Sequence, residues 1–267
     1  MVHLNTIISL SVTFFIALLL PIVLIAMIRR KFQIKKRVFL WGAIAFIVFS
    51  QMLEGGLNSY ILSKSSSLSE VFKNPWIYMV YGGLAAGIFE EVGRYIILRF
   101  SLKGNLNIRN GIGFGIGYAG IESFIIGSFG ALNLLLYSVM INNGMFKVLI
   151  QNNEVKKVLI PIKDQLLTEN AFYWLIGGVE RVLVLPIQIA FTIMIFHSIK
   201  HKNIKLLIYA ILIHAFLDFP AALYQVKFIT SSILVMVWIF ICSIISTIFL
   251  FSTVKSNVEV TEIPKGF

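Results

Sequence analysis

Long uninterrupted apolar stretches dominate this chain of 267 residues. In hydrocarbon a backbone has no water to bond, so a segment of about 20 apolar residues is stable there only as a helix. Seven such stretches occur, at roughly 6–28, 39–62, 76–98, 111–140, 173–197, 206–225 and 228–252. They predict an all-α fold, a polytopic transmembrane helix bundle of about seven spans. The bundle is expected to form a single integral membrane domain over 1–267, with its functional core in 76–225. Hydrophobic residues make up 58% and charged residues 13%, more apolar surface than a soluble domain of this size can bury. A soluble enzyme, a disordered tail and a disulfide scaffold are excluded. The single cysteine, Cys242, has no internal partner for a bridge.

The net charge of +11 is distributed by topology. Arg29, Arg30, Lys31, Lys35, Lys36 and Arg37 fill the first connection, Arg99, Lys103 and Arg109 the third, and Lys200, Lys202 and Lys205 the fifth; Lys255 and Lys265 lie in the tail. The alternate side holds only Lys64, Lys73, Lys147, Lys156, Lys157, Lys163 and Lys227. This asymmetry places the N-terminus outside and the C-terminus in the cytoplasm. It suits contact with an anionic bilayer surface and not with nucleic acid. The first stretch lacks a basic leader and is followed by basic residues, so it reads as a retained anchor. The polar segment 141–172 is expected to be an external loop with some surface helix. The stretch 111–140 is too long for one straight crossing and is expected to tilt, to break near Gly127 or Gly130, or to end in an interfacial turn. No internal repeat is evident.

Six of the twelve acidic residues fall inside the apolar stretches: Glu54, Glu90, Glu91, Glu122, Glu180 and Asp218, joined by Arg94, Arg181 and His214. A charge at mid-bilayer costs at least about 2.5–3.5 kcal/mol. The six together would outweigh a typical folding free energy of about 5–15 kcal/mol. They must face inward and be partnered. Counted from the cytoplasmic ends, Glu90, Glu91, Tyr118, Glu122, Gln188, His214 and Asp218 share a layer about 10–18 Å deep. Arg94 lies one turn beyond Glu90 and Glu91, and Asp218 one turn beyond His214. Glu180 and Arg181 are sequence neighbours and are expected to point apart, Arg181 for instance toward Glu54. Glu54, beside Gly55, Gly56 and Asn58, reads as a packing feature. Gly83 with Gly87, and Gly113 with Gly117 and Gly120, allow close helix approach. The string Gly111-Ile-Gly-Phe-Gly-Ile-Gly117 lacks the Lys-Ser/Thr of a phosphate loop. An acid-rich apolar centre suits water activation, proton-coupled transport or a metal.

Phe89-Glu90-Glu91-Val92-Gly93-Arg94-Tyr95 resembles the EExxR motif of the CAAX-prenyl-protease and bacteriocin-processing (CPBP) intramembrane proteases. It is most similar to the EExxRY form of their YhfC-like branch. Gly117-Tyr118-Ala119-Gly120-Ile121-Glu122 resembles that branch's glycine-histidine-glycine-glycine-x-glutamate, with Phe114 and Tyr118 at the ends of the superfamily's FxxxH. Glu180-Arg181 followed by Gln188 resembles its Glu-Arg and later histidine, and His214 to Asp218 fits HxxxN/D. The resemblance implies Glu90 or Glu91 as the base that activates water and Arg94 as its orienter. His214 and Asp218 would polarise the scissile carbonyl or carry the proton, and Glu122, Glu180, Arg181 and Gln188 would give support from behind. Two motif histidines are replaced, by Tyr118 and Gln188. Both replacements can donate to an oxyanion, but neither is a ready base or a usual zinc ligand. A metal would have to rest on Glu90, Glu91, His214 and Asp218. A glutamate-driven reaction with no required cofactor suits the sequence better, and the lost histidines disfavour zinc. The implied function is an intramembrane endopeptidase acting on a hydrophobic or membrane-bound peptide in a bacterial plasma membrane. The alternatives are a degenerate pseudoprotease that binds a peptide or partner, as in bacteriocin self-immunity, and a proton-coupled transporter.

Overall fold

A computed structural model describes residues 1–62 and 70–262, with side chains as far as residue 253. Lys64 and Lys265, which entered the charge asymmetry, lie outside the described residues, as does the side chain of Lys255. The elements are α1 (Leu4–Phe32), α2 (Lys36–Ala45), a π-helical stretch Phe46–Glu54 and α3 (Gly55–Ile61). A 3-10 turn Val71–Lys73 precedes α4 (Pro75–Ser101). Then come α5 (Ile108–Glu122), a second π-helical stretch Ser123–Phe129, α6 (Gly130–Asn142), α7 (Phe146–Leu149) and α8 (Asn153–Thr168). The chain closes with α9 (Ala171–Lys200), α10 (Ile204–Gln225) and α11 (Ser232–Glu262). No strand occurs among the described residues.

Six helical segments are long and apolar enough to cross a membrane: Leu4–Phe32, Lys36–Ile61, Ile108–Asn142, Ala171–Lys200, Ile204–Gln225 and Ser232–Thr253. The chain is a multi-pass membrane protein. The remaining expected span is α4, whose 27 residues extend about 40 Å at 1.5 Å each. Its lower apolarity comes from Glu90, Glu91 and Arg94, which are buried. The long stretch 111–140 does not break at its glycines. It stays helical from Ile108 to Asn142 and takes up the irregularity as π-helix over Ser123–Phe129. The segment 141–172 holds α7 and α8, the latter capped by the Asn152 side chain and containing Pro161.

The residues cluster into two compact units. The first comprises 1–23 and 122–182. Its core gathers Val2, Leu10, Leu166 and Trp174, and hydroxyls tie its helices together. Thr13 Oγ1 donates to the Trp174 carbonyl at 2.8 Å, and Ser123 Oγ to that of Ala17 at 2.9 Å. The second unit comprises 24–121 and 183–267. Its core includes Ile187, Phe191, Ile195, Leu207, Ala210 and Ile239. Two glycine contacts set its helix spacing. Methyl groups added at Gly42 and Gly117 would come within 2.1 Å of the Phe114 carbonyl and 2.0 Å of the Phe39 carbonyl. The other faces stay apolar and exposed: α11 shows Ile233, Val237, Ile241, Ile244 and Ile248 outward, as a lipid-facing surface requires.

Candidate active site

The site is built on α4. The Asn74 side chain caps this helix by accepting from Trp76 and Ile77, and Pro75 starts it. Glu90, Glu91 and Arg94 lie on the buried side of α4, and α10 packs there because of two glycines. Methyl groups added at Gly83 and Gly87 would meet the carbonyls of Ala215 at 2.5 Å and Ile211 at 2.6 Å. The approach brings His214 and Asp218 of α10 to the acids.

Arg94 is fully buried at the centre. Its Nη2 pairs with Glu90 Oε2 at 3.0 Å, and its Nη1 with Glu91 Oε1 at 3.0 Å. Nη2 also donates to Gln188 Oε1 on α9. The guanidinium carbon lies 3.9 Å from the Tyr118 ring centre, a cation–π contact strengthened by exclusion of water. Phe46 meets that ring edge-on at 5.3 Å. His214 Nδ1 is 2.7 Å from Glu91 Oε1. Its Nε2 faces Asp218 Oδ2 at 3.4 Å and Glu90 Oε2 at 3.8 Å. Phe191 stacks on the imidazole, centroids 4.6 Å apart and planes 9° from parallel. Thus Glu90, Glu91, Arg94, Tyr118, His214 and Asp218 come together within one unit. Gln188 touches the arginine directly instead of standing behind it.

Two participants escaped the sequence reading. Ser50, in the first π-helical stretch, lies 3.4 Å from Glu90 Oε1 and 3.4 Å from Glu54 Oε2. Its single proton can serve one of them at a time. Glu54 Oε1 accepts from Asn58 Nδ2 at 3.3 Å, and Tyr81 OH donates to Asn58 Oδ1 at 2.5 Å. Glu54 is therefore no mere packing residue: it stands one hydroxyl away from Glu90. The available signal was a polar row, Ser50, Glu54 and Asn58, at steps of four in an apolar span. π-helical turns often mark functional sites. Phe191 gave no signal, being one apolar residue among many.

Glu122, Glu180 and Arg181 meet one another within the first unit. Arg181 Nη1 bonds Glu122 Oε1 at 3.0 Å, and Nη2 bonds Glu180 Oε1. Two expectations are corrected here. The partner of Arg181 is Glu122 and not Glu54. Glu180 does bond its neighbour, because the long guanidinium arm bends back to a half-exposed carboxylate. Gly127 leaves room for that arm: a methyl group there would lie 2.9 Å from Arg181 Cγ.

The sequence pattern described as the YhfC intramembrane metalloprotease family matches residues 16–239. A Bacillus subtilis (strain 168) relative, "Uncharacterized membrane protein YhfC", is 39% identical over 225 residues, which is 84% of this chain and 87% of that protein. The chain belongs to the YhfC intramembrane metalloprotease family. No solved structure matches it. All the residues gathered around Arg94 fall inside the matched region. The family's description implies a metal, and the side chains present fit one. Glu90, Glu91 and His214 are buried, and each offers a donor atom within 4.8 Å of the others. Two carboxylates with an imidazole are a donor set that divalent transition metals accept. Glu91 Oε2 is buried without a hydrogen-bond partner among the described residues, as an atom awaiting a cation or a proton would be.

Proposed function

We propose that this protein is an intramembrane endopeptidase, that it cleaves hydrophobic or membrane-bound peptides, and that its family is a branch of the CPBP proteases. The supporting observation is the junction of Glu90, Glu91 and His214 around Arg94 inside an apolar helix bundle. Arg94 holds both carboxylates in register, and Tyr118 and Gln188 hold Arg94. A water lodged between the carboxylates and His214 loses a proton to Glu90 or Glu91 as its oxygen attacks the scissile carbonyl. His214, kept in plane by Phe191 and braced by Asp218, donates a hydrogen bond to the developing oxyanion. The proton then passes to the leaving amine, so one water yields one carboxylate and one amine. A divalent cation, if held, would rest on Glu90, Glu91 and His214 with Asp218 beside them. It would supply Lewis-acid polarisation of the carbonyl and acidify the water. Water enters in this reading from the cytoplasmic side.

The replaced histidines fit an active enzyme, because Tyr118 and Gln188 both serve the guanidinium and neither is needed as a base. The test is cleavage of a hydrophobic peptide library by the purified protein in detergent. Glu90→Gln and Glu91→Gln should each abolish cleavage while the protein still accumulates. Wild-type cleavage by both variants refutes the assignment. Peptide capture without cleavage by the wild type would mark a degenerate binder instead.

A further inference from the structure

We propose that the second unit carries an anion site, separate from the Arg94 centre, that takes the phosphate group of a small headgroup. A cavity of about 210 Å³ opens where the connection between α1 and α2 meets the connection between α4 and α5. Lys35 lines it from the first connection, Arg37 from the first turn of α2 and Arg109 from the first turn of α5, and Gln33, Ser101, Asn105, Asn107 and Asn110 add polar groups to the wall. Three features select an anion. Two helices begin at this wall, α2 at Lys36 and α5 at Ile108, and helix starts carry partial positive charge; the α5 start is capped, with Asn107 Oδ1 accepting from the Asn110 amide at 2.9 Å. The α2 start is left open, since Lys35 provides no side-chain cap. Among the described residues no carboxylate lines the cavity, and residues 24–53 and 92–121 contain no Asp or Glu. Finally, Ser101 Oγ, at the cavity wall, is buried without a hydrogen-bond partner among the described residues.

The positive-inside pattern explains why these connections are basic. It does not require that cations at the starts of two separate helices converge on one concavity. Three like charges around one cavity would be offset by a bound anion. The volume is below the roughly 300 Å³ of a drug-sized pocket and matches a phosphate with a short polar attachment. Phosphatidylglycerol and free phosphate share this chemistry.

The test titrates the full chain in neutral detergent with phosphatidylglycerol, phosphatidylcholine and inorganic phosphate, following retained lipid by native mass spectrometry. Phosphatidylglycerol should bind saturably, and phosphatidylcholine should not. Arg37→Gln and Arg109→Gln should each weaken binding about fivefold, while Arg37→Lys and Arg109→Lys retain most of it. Lys31→Gln and Lys103→Gln, nearby cations outside the cavity wall, should change it less than twofold. Thermal unfolding without lipid should be the same for all variants, which separates lost binding from lost fold. Displacement of the lipid by inorganic phosphate at matching concentrations would support the site and assign a soluble source. Failure of phosphate to compete would assign the lipid. Equal losses from all four glutamine variants, or equal binding of the two lipids, would mean diffuse surface attraction and overturn the proposal.

Discussion

Gly87→Ala should disable the site without touching it. The added methyl would sit 2.6 Å from the Ile211 carbonyl oxygen and 3.3 Å from the Ala215 amide nitrogen. Both are backbone atoms of α10, so no side chain can rotate away. Relief to ordinary contact, about 3.5 Å, separates α4 from α10 locally by about 0.9 Å. The bond between His214 Nδ1 and Glu91 Oε1 is now 2.7 Å. Lengthened by that amount it passes about 3.5 Å, beyond useful hydrogen bonding. Overpacking costs about 1–3 kcal/mol, but alanine's helix preference over glycine returns about 1 kcal/mol. Stability should thus fall modestly, whereas a misplacement near 1 Å can cost about 100-fold in rate. Two readouts apply: peptide cleavage, and the imidazole nitrogen resonances of His214 in detergent NMR. Gly82→Ala and Gly56→Ala are the controls. The first methyl would make an ordinary 3.5 Å contact with Ala222 and the second would meet nothing within 4 Å. Both should behave as wild type. Wild-type cleavage with an unshifted His214 signal in Gly87→Ala would refute the reasoning.

Arg94→Lys keeps the charge, but a single ammonium cannot span Glu90, Glu91 and Gln188. Cleavage should fall at least about 100-fold with a loss of about 1–3 kcal/mol in unfolding free energy, and a wild-type-like enzyme would remove the case for a guanidinium fork. Glu54→Gln and Ser50→Ala should each lower kcat about tenfold with KM unchanged, since both act through Glu90 and touch no substrate; equal kinetics for the variants and wild type would return Glu54 to a packing role. If Glu90, Glu91 and His214 hold a cation, dialysis against a chelator should strip it in stoichiometric amount and lower Tm, with recovery on readdition, and His214→Ala should take up none; full cleavage by cation-free protein would leave the carboxylates alone to activate water.

The fold was legible because the bilayer leaves few options: apolar length alone identified the helices, and the buried charges marked α4 as unlike the other six. The site was legible as rows along single helices. Glu90, Glu91 and Arg94 share one face of α4, and His214 shares one face of α10 with Asp218. Partners on different helices were not legible, because nothing in a sequence fixes the rotation of one helix against another. Hence Arg181 was assigned toward Glu54 when it meets Glu122. The Arg181–Glu180 pair failed for a different reason. Adjacent helical residues diverge at Cβ by about 100°, yet a guanidinium five bonds out can return to the same place. Ser50 was hidden because a lone serine in an apolar span is ordinarily bonded to its own helix. Here its hydroxyl stands 3.4 Å both from Glu54 Oε2 along its own span and from Glu90 Oε1 across on α4.

The count of charges around Arg94 carries the chemistry furthest. Glu90, Glu91 and Asp218 face a single guanidinium and a single imidazole. Asp218 retains partial exposure, with 30% of its side chain accessible, so water can screen it. Glu91 has no such relief: its side chain is wholly buried, and its Oε2 has no hydrogen-bond partner among the described residues. An unanswered buried carboxylate oxygen is costly, and better-packed hydrophobic residues would remove that cost at once. Tyr118 and Gln188 do the opposite, since both engage Arg94 and fix the arginine that keeps the acids in place. Among the described residues Glu91 Oε2, Arg94 Nε and Arg94 Nη1 are all buried without hydrogen-bond partners, so hydrogen bonding is incomplete on the acid and on the cation alike. In the proposed reading, Glu91 Oε2 is the atom that would accept a proton or a metal.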